Sequence, residues 1–248
     1  MRIAWIGSTV LLAFAVAVAQ AAPKEEVSEA VKKLTEKGNY SWKQTTENAG
    51  GGGRGFGGGG PTEGKTADGL TYLSIERRDN AKTEVVLKGD KGAVKSQDNW
   101  QSLAELAEAA QGGGGGQGGG LGRFMANQYR NYKAPAALAQ ELVGHVKEIK
   151  KEGDAYTGEL SEEGVKALMA FGGRRGGDQA QGPAVSGGKG TAKFWVKDGA
   201  LAKYEYNVQG KVTFGDNERE VNRTTTVEIK DVGSTKVEVP AEAKAKLS

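Results

Sequence analysis

The sequence predicts an α+β fold, an antiparallel sheet of eight to eleven strands with helices at its start and in its middle. Three observations point there. Residues 194–210, "FWVKDGALAKYEYNVQG", hold two alternating runs on either side of Asp198-Gly199, the strongest short-range signal of a hairpin. Residues 24–37, "KEEVSEAVKKLTEK", set Val27, Val31 and Leu34 on one helical face. In the middle of the chain, Ser102-x-x-Glu105 spells a capping box in front of an apolar-periodic stretch.

In chain order, the first helix stops at Gly38, and "YSWKQTTE" (40–47) alternates as a strand does. "LTYLSIERR" (70–78) and "KTEVVLKG" (82–89) are two strands joined through Asp79-Asn80. Gly89-Asp90-Lys91-Gly92 is a further turn, leading into "AVKSQDNW". The helix opened by Ser102 carries Leu103, Leu106 and Ala110 on one side. Residues 123–144 are helical in pattern, with a break at Ala134-Pro135 because the residue before proline avoids the helical region. "HVKEIKKE" and "AYTGEL" form a hairpin turning at Gly153-Asp154, and Ser161 caps a helix bearing Val165, Leu168 and Met169. After the hairpin at Asp198-Gly199, "REVNRTTTVEIKDVG" supplies a strand, and "KVEVP" a last one ending at Pro240.

The chain of 248 residues opens on Arg2 and a nearly unbroken apolar run from Ile3 to Val18. Ala19-Gln20-Ala21 then offers the small-x-small site of a signal peptidase, and Pro23, Lys24, Glu25 and Glu26 follow at once. Residues 1–21 are therefore expected to be a signal peptide cleaved between Ala21 and Ala22, leaving residues 22–248 as a single domain. That places the protein in the periplasm or outside the cell, soluble after cleavage. Cysteine is absent, which excludes disulfides, thiol nucleophiles and a lipid-bearing N-terminal cysteine. A net charge of +3 implies no strong attraction to nucleic acid. Glycine is the outlier at 40 residues, concentrated at 50–60, 112–122 and 172–190. These patches read as loop insertions, because polyglycine buries no apolar surface and longer loops cost little entropy.

Residues 59–66, "GGPTEGKT", match the phosphate-loop pattern G-x-x-x-x-G-K-[ST]. The context is wrong for it: a buried strand should precede the loop and a helix should follow. Here polyglycine precedes and "ADGLTYLSIE" follows, Pro61 lacks an amide donor, and Glu63 brings negative charge, so no nucleotide binding is expected. Gly53-x-Gly55-x-x-Gly58 lacks a βαβ unit around it, and one Arg54 with one Phe56 is too little for single-stranded RNA. His145 is the single histidine, so no His/Cys metal cluster exists, and no carboxylate pair is singled out by spacing. No enzyme, cofactor or metal is expected.

The order of elements resembles the LolA/LppX-like periplasmic carriers. The likeness is carried by helix 24–37 leading into "NYSWKQTTE", by "VVLKGDKGAVKSQDNWQSLAEL", and by "FWVKDGALAKYEYNVQG" and "TTTVEIKDVGSTKVEVP" near the end. It is a likeness of layout across most of the residues after the signal, with no diagnostic motif. Two features depart from the family: the missing acylated cysteine of LppX-type members, and the glycine patches. The resemblance implies a curved antiparallel sheet, an incomplete barrel, with helices covering its concave face. It also implies a lipid or the acyl chains of a lipoprotein as ligand, with transient membrane contact.

On such a half-barrel, strand residues alternate between the convex and concave faces. Trp42, Leu73, Ile75, Val85, Leu87 and Trp100 are then expected to point inward. Leu103, Leu106, Phe124, Met125, Leu138 and Leu142 of the helices would meet them, with Phe124 and Met125 suited to a movable cover. A packed core without ligand, in an envelope protein that works through its surface, is the alternative. Sequence alone does not separate a lined cavity from a filled one.

Overall fold

The computed structural model describes residues 22–49, 60–77, 81–96, 99–112, 117–169, 184–214 and 217–247. Residues 1–21, most of the glycine patches at 50–60 and 172–190, and residues 113–116 of the patch at 112–122 lie outside these residues.

Helix α1 (Pro23–Lys37) starts on a proline, whose missing N–H costs nothing in a first turn, and ends at Gly38 in the left-handed region, φ 67°. Its apolar stripe, Val27, Ala30, Val31 and Leu34, is buried. Six strands follow as a meander: β1 (Tyr40–Asn48), β2 (Thr62–Ala67), β3 (Leu70–Glu76), β4 (Lys82–Lys88), β5 (Lys91–Ser96) and β6 (Asn99–Ser102). Then come α2 (Leu103–Gly112), α3 (Gln117–Arg130) and α4 (Pro135–His145), the short hairpin β7 (Lys150–Glu152) and β8 (Ala155–Glu159), and α5 (Glu162–Met169). Three long strands, β9 (Ala184–Lys197), β10 (Ala200–Phe214) and β11 (Asn217–Lys230), precede a short terminal helix, α6 (Ala241–Ala245).

The eleven strands among the described residues form one antiparallel sheet in the order β6-β5-β4-β3-β2-β1-β11-β10-β9-β8-β7. The chain thus leaves the sheet at one edge, β6, and re-enters at the other, β7. Everything between them, α2, α3 and α4, has to cross the full width of the sheet. Laid flat, ten gaps of about 4.8 Å would make that width nearly 50 Å. A single buried cluster nevertheless joins Val94 of β5, Trp42 of β1, Val227 of β11 and Tyr156 of β8 to α1, α3, α4 and α5. The sheet therefore curls around the helices. It stays open, since its edge strands β6 and β7 pair with one neighbour each.

Among the described residues, a second buried cluster covers part of the convex side. There α6 and the segment leading to it pack Ala243, Leu247 and Val239 on Val86, Ala93 and Trp100, with Leu70 and Tyr72 alongside. An ion pair from Lys246 to Glu105, 2.6 Å, ties this tail to the start of α2.

Several local expectations meet the structure directly. The Asp198-Gly199 turn has both residues at positive φ, 53° and 71°, as a two-residue hairpin turn requires. The capping box is made in both directions: Glu105 N–H donates to Ser102 Oγ at 3.1 Å, and Ser102 N–H to Glu105 Oε2 at 2.7 Å. Ser161 Oγ likewise accepts from Gly164 N–H at 3.1 Å.

Others are corrected. "KVEVP" forms no strand; residues 236–240 run irregularly into α6, because β11 already pairs with β1 and β10 on both sides. The glycine patches are shorter as loops than expected, since α3 begins at Gln117 and β9 at Ala184. Gly188 and Gly190 sit in β9 where an added Cβ would come within 2.9 and 2.8 Å of Val165 Cγ1 and Leu160 Cδ1 respectively, so their bareness lets α5 lie close to the sheet. Lys65 stands on a strand, not in a loop: residues 62–67 are β2, and Lys65 faces Tyr72 across the ladder. The Gly60 amide of that pattern donates to Glu76 O at 2.7 Å, and β3, not a helix, follows.

Candidate functional site

The concave face is built by register. Trp42 on β1 stands beside Ile229 on β11 and Gly64 on β2; Gly64 stands beside Leu73, Leu73 beside Val85, and Val85 beside Val94. A second row runs from Val227 through Tyr204 and Phe194 to Tyr156. Because side chains alternate, both rows project to the side where the helices lie.

Gly64 is the close approach in this surface. A Cβ there would fall 2.1 Å from Trp42 Cζ2, so the indole lies directly on the Gly64 backbone. The Tyr132 ring also stacks with this indole, at 6.5 Å between centroids with 20° between planes. Trp42 is 3% exposed, and its Nε1 meets no hydrogen-bond acceptor among the described residues.

Two tyrosines fasten α4 across the sheet. Ala136 N–H donates to Tyr40 Oη and Tyr204 Oη donates to the Pro135 carbonyl, each at 3.2 Å. Ala136 and Pro135 are the first residues of α4, where backbone N–H groups have no partner inside the helix. Burial pushes the Tyr204 hydroxyl well above the ordinary tyrosine range, with Tyr206, Tyr132 and Tyr40 adding to it. Burial raises Tyr40 as well, against the Ala136 hydrogen bond, which lowers it. Tyr132 is half-buried by surface, yet desolvation lifts its hydroxyl well above the usual range.

At the far end of the face, Arg223 is buried and donates from Nη2 to the Leu168 carbonyl at 3.1 Å, on the last turn of α5. Loss of water lowers its guanidinium to about 10.

Of the residues expected to point inward, Trp42, Leu73, Val85, Leu87, Leu103 and Leu142 lie in the buried cluster. Ile75, Leu106, Met125 and Leu138 are half-buried against it. Phe124 is half-buried on α3. Trp100 is a correction: it packs in the convex cluster with Val86 and Ala93. The cause is parity, since Trp100 pairs with Lys95, which alternation turns away from Val94 and the helices. Sequence reasoning missed Gly64, Tyr40, Tyr132 and Tyr204. For Tyr40 a signal was present, two residues before Trp42 on an alternating strand.

A separate open groove of ≈ 640 Å³ lies beside β8, β9 and α5. It is ionic in character, with Lys147 paired to Glu159 at 3.6 Å and Lys166 to Glu162 at 2.7 Å, and none of the twelve expected residues lines it. His145 stands 3.9 Å from Glu141 in the next turn back along α4. Among the described residues no group of three or more His, Cys, Asp or Glu side chains is gathered for a metal.

No family model and no curated protein matches the chain. Solved structures do. Lipoprotein LppX of Mycobacterium tuberculosis aligns with 88% of this chain and 98% of its own, at 13% identity and a TM-score of 0.50. LprF of Mycobacterium bovis aligns at 11% identity over 89% and 97%, TM-score 0.42. A LolA superfamily protein of Nitrosomonas europaea aligns at 9% identity over 88% and 96%, TM-score 0.33. With its open eleven-stranded sheet curled around crossing helices, the chain has the LolA/LppX-like fold.

Proposed function

We propose that the protein is an exported, non-catalytic carrier that holds a hydrophobic ligand, a lipid or the acyl chains of a lipoprotein, between the concave face and the helices that cross it. One observation carries this reading. Ile75, Leu106, Met125, Tyr132 and Leu138 pack against the buried cluster yet keep part of their surface accessible. A filled core leaves such side chains closed; a site for an apolar guest leaves them partly open. Among the described residues Val232 is the one exposed large apolar side chain.

Export rests on residues 1–21, and no described helix is long and apolar enough to cross a membrane. Residues 22–248 act as a single domain in this reading. Native mass spectrometry of the protein purified from its own host tests the proposal. A bound mass that is extracted by organic solvent and identified as a lipid supports it. A uniformly ligand-free mass favours the packed envelope protein.

A further inference from the structure

We propose that the open edge of β9 is a docking site for a partner protein, which adds an extended, acid-bearing segment to the sheet there. The inference does not depend on what the concave face holds. Strand β8 pairs with β9 as far as Glu159, opposite Thr191. The Leu160 amide then donates to the Gly190 carbonyl at 2.9 Å, and the chain turns away into α5. β9 continues beyond that point over residues 184–189, where no described strand pairs with it on this side. On the other side Gly187 and Gly188 have no counterpart in the ladder to β10, because the register shifts between Gln209 and Lys211. Such an edge presents backbone N–H and C=O groups that a further strand can meet.

Other open edges are guarded. β7 is three residues long and every one is charged; β11, where it outruns β1, carries Glu218, Arg219 and Glu220. The stretch 184–189, "AVSGGK", has one charge, and the groove of ≈ 640 Å³ lies along it. At about 3.3 Å per residue this stretch gives room for a segment of roughly five or six residues. The walls describe that segment. Leu160 and Val185 offer apolar ground, while three lysines, Lys147, Lys166 and Lys189, stand against two carboxylates, Glu159 and Glu162. Both carboxylates are engaged, by Lys147 at 3.6 Å and by Lys166 at 2.7 Å. Lys189, exposed on the strand itself, is left without an ion pair among the described residues. Main-chain pairing therefore supplies the affinity, and Lys189 favours a carboxylate on the incoming strand. A second copy of this chain would bring the same lysine to both sides of the contact, so the partner is a different protein.

The probe is a fluorescein-labelled hexapeptide of alternating valine and serine with one serine replaced by aspartate, titrated by fluorescence anisotropy. It should bind saturably, and the amides of residues 185–189 should exchange hydrogen more slowly in the complex. N-methylating the alternate peptide amides that face β9 should weaken binding at least tenfold, and methylating the other set should change it less than about threefold. Replacing the aspartate by lysine should weaken binding about threefold, and Lys189→Glu should reverse that order. No saturable binding, equal loss from both methylated sets, an unreversed charge preference, or protection elsewhere would overturn the proposal. So would self-association through this edge, seen as slower exchange at 185–189 when the protein alone is concentrated. Each of those outcomes leaves the carrier standing, because none of the residues expected to meet its ligand lines this groove.

Discussion

Gly64 shows how much a single position can carry. Its side chain is missing where the indole of Trp42 needs to lie, and a methyl group there would sit 2.1 Å from the ring. Gly64→Ala is therefore expected to destabilise the fold by about 3 kcal/mol, at the upper end of overpacking costs, measured by urea unfolding. Gly144, on α4 with nothing within 4 Å of an added Cβ, makes the opposite case. Gly144→Ala should stabilise by about 0.5–1 kcal/mol, because glycine costs a helix that much relative to alanine. Equal effects from the two substitutions would refute the close approach. Gly64 was readable as a letter and not as a role. It falls in a stretch spelling a phosphate loop, and the partner that explains it arrives from another strand through register.

At the scale of elements, the contacts that place α4 are few and separable. Tyr204→Phe removes the donor to the Pro135 carbonyl and should cost about 1 kcal/mol. Ser102→Ala should cost about the same by opening the capping box of α2. Hydrogen exchange separates them: the first should speed exchange in α4 and the second in α2. Uniform acceleration everywhere would mean that neither contact is local. Capping boxes, hairpin turns and the stripe of α1 were legible because each is written in residues a few positions apart. Strand β2, the glycine-rich start of α3 and the parity of Trp100 were not. Each depends on pairing or packing that composition does not spell: the face Trp100 takes, for one, is set by its register with Lys95. "KVEVP" alternates as a strand does, but both sides of β11 are already taken.

For the whole molecule, the consequence of burying tyrosines against the helices is an alkaline limit. Tyr40 and Tyr204 ionise in the folded chain above their usual value of 10.0. Below that value both states hold the proton and stability does not depend on it. As pH climbs past it, the unfolded chain releases the proton while the folded chain keeps it. Stability then falls by up to roughly 1.4 kcal/mol per pH unit for each group. Urea unfolding at pH 9, 10 and 11 should show the loss beginning at the upper step, and Tyr40→Phe with Tyr204→Phe should reduce its slope, leaving the share of the other raised tyrosines such as Tyr132. An unchanged slope in the double variant would show that these hydroxyls are not held neutral.

The order of strands made the fold recognisable, while the ligand was never written in it, because alternation brings an apolar face to a filled core and to a cavity alike. The most direct measurement is the titration of an environment-sensitive lipid probe against delipidated wild type and Ile75→Asp, a charge placed at a half-buried inward position. The wild type should bind saturably, and the variant should lose at least tenfold in affinity while its circular dichroism spectrum is retained. A delipidated wild type that shows no saturable binding would contradict the carrier and leave a sheet packed solid around its helices.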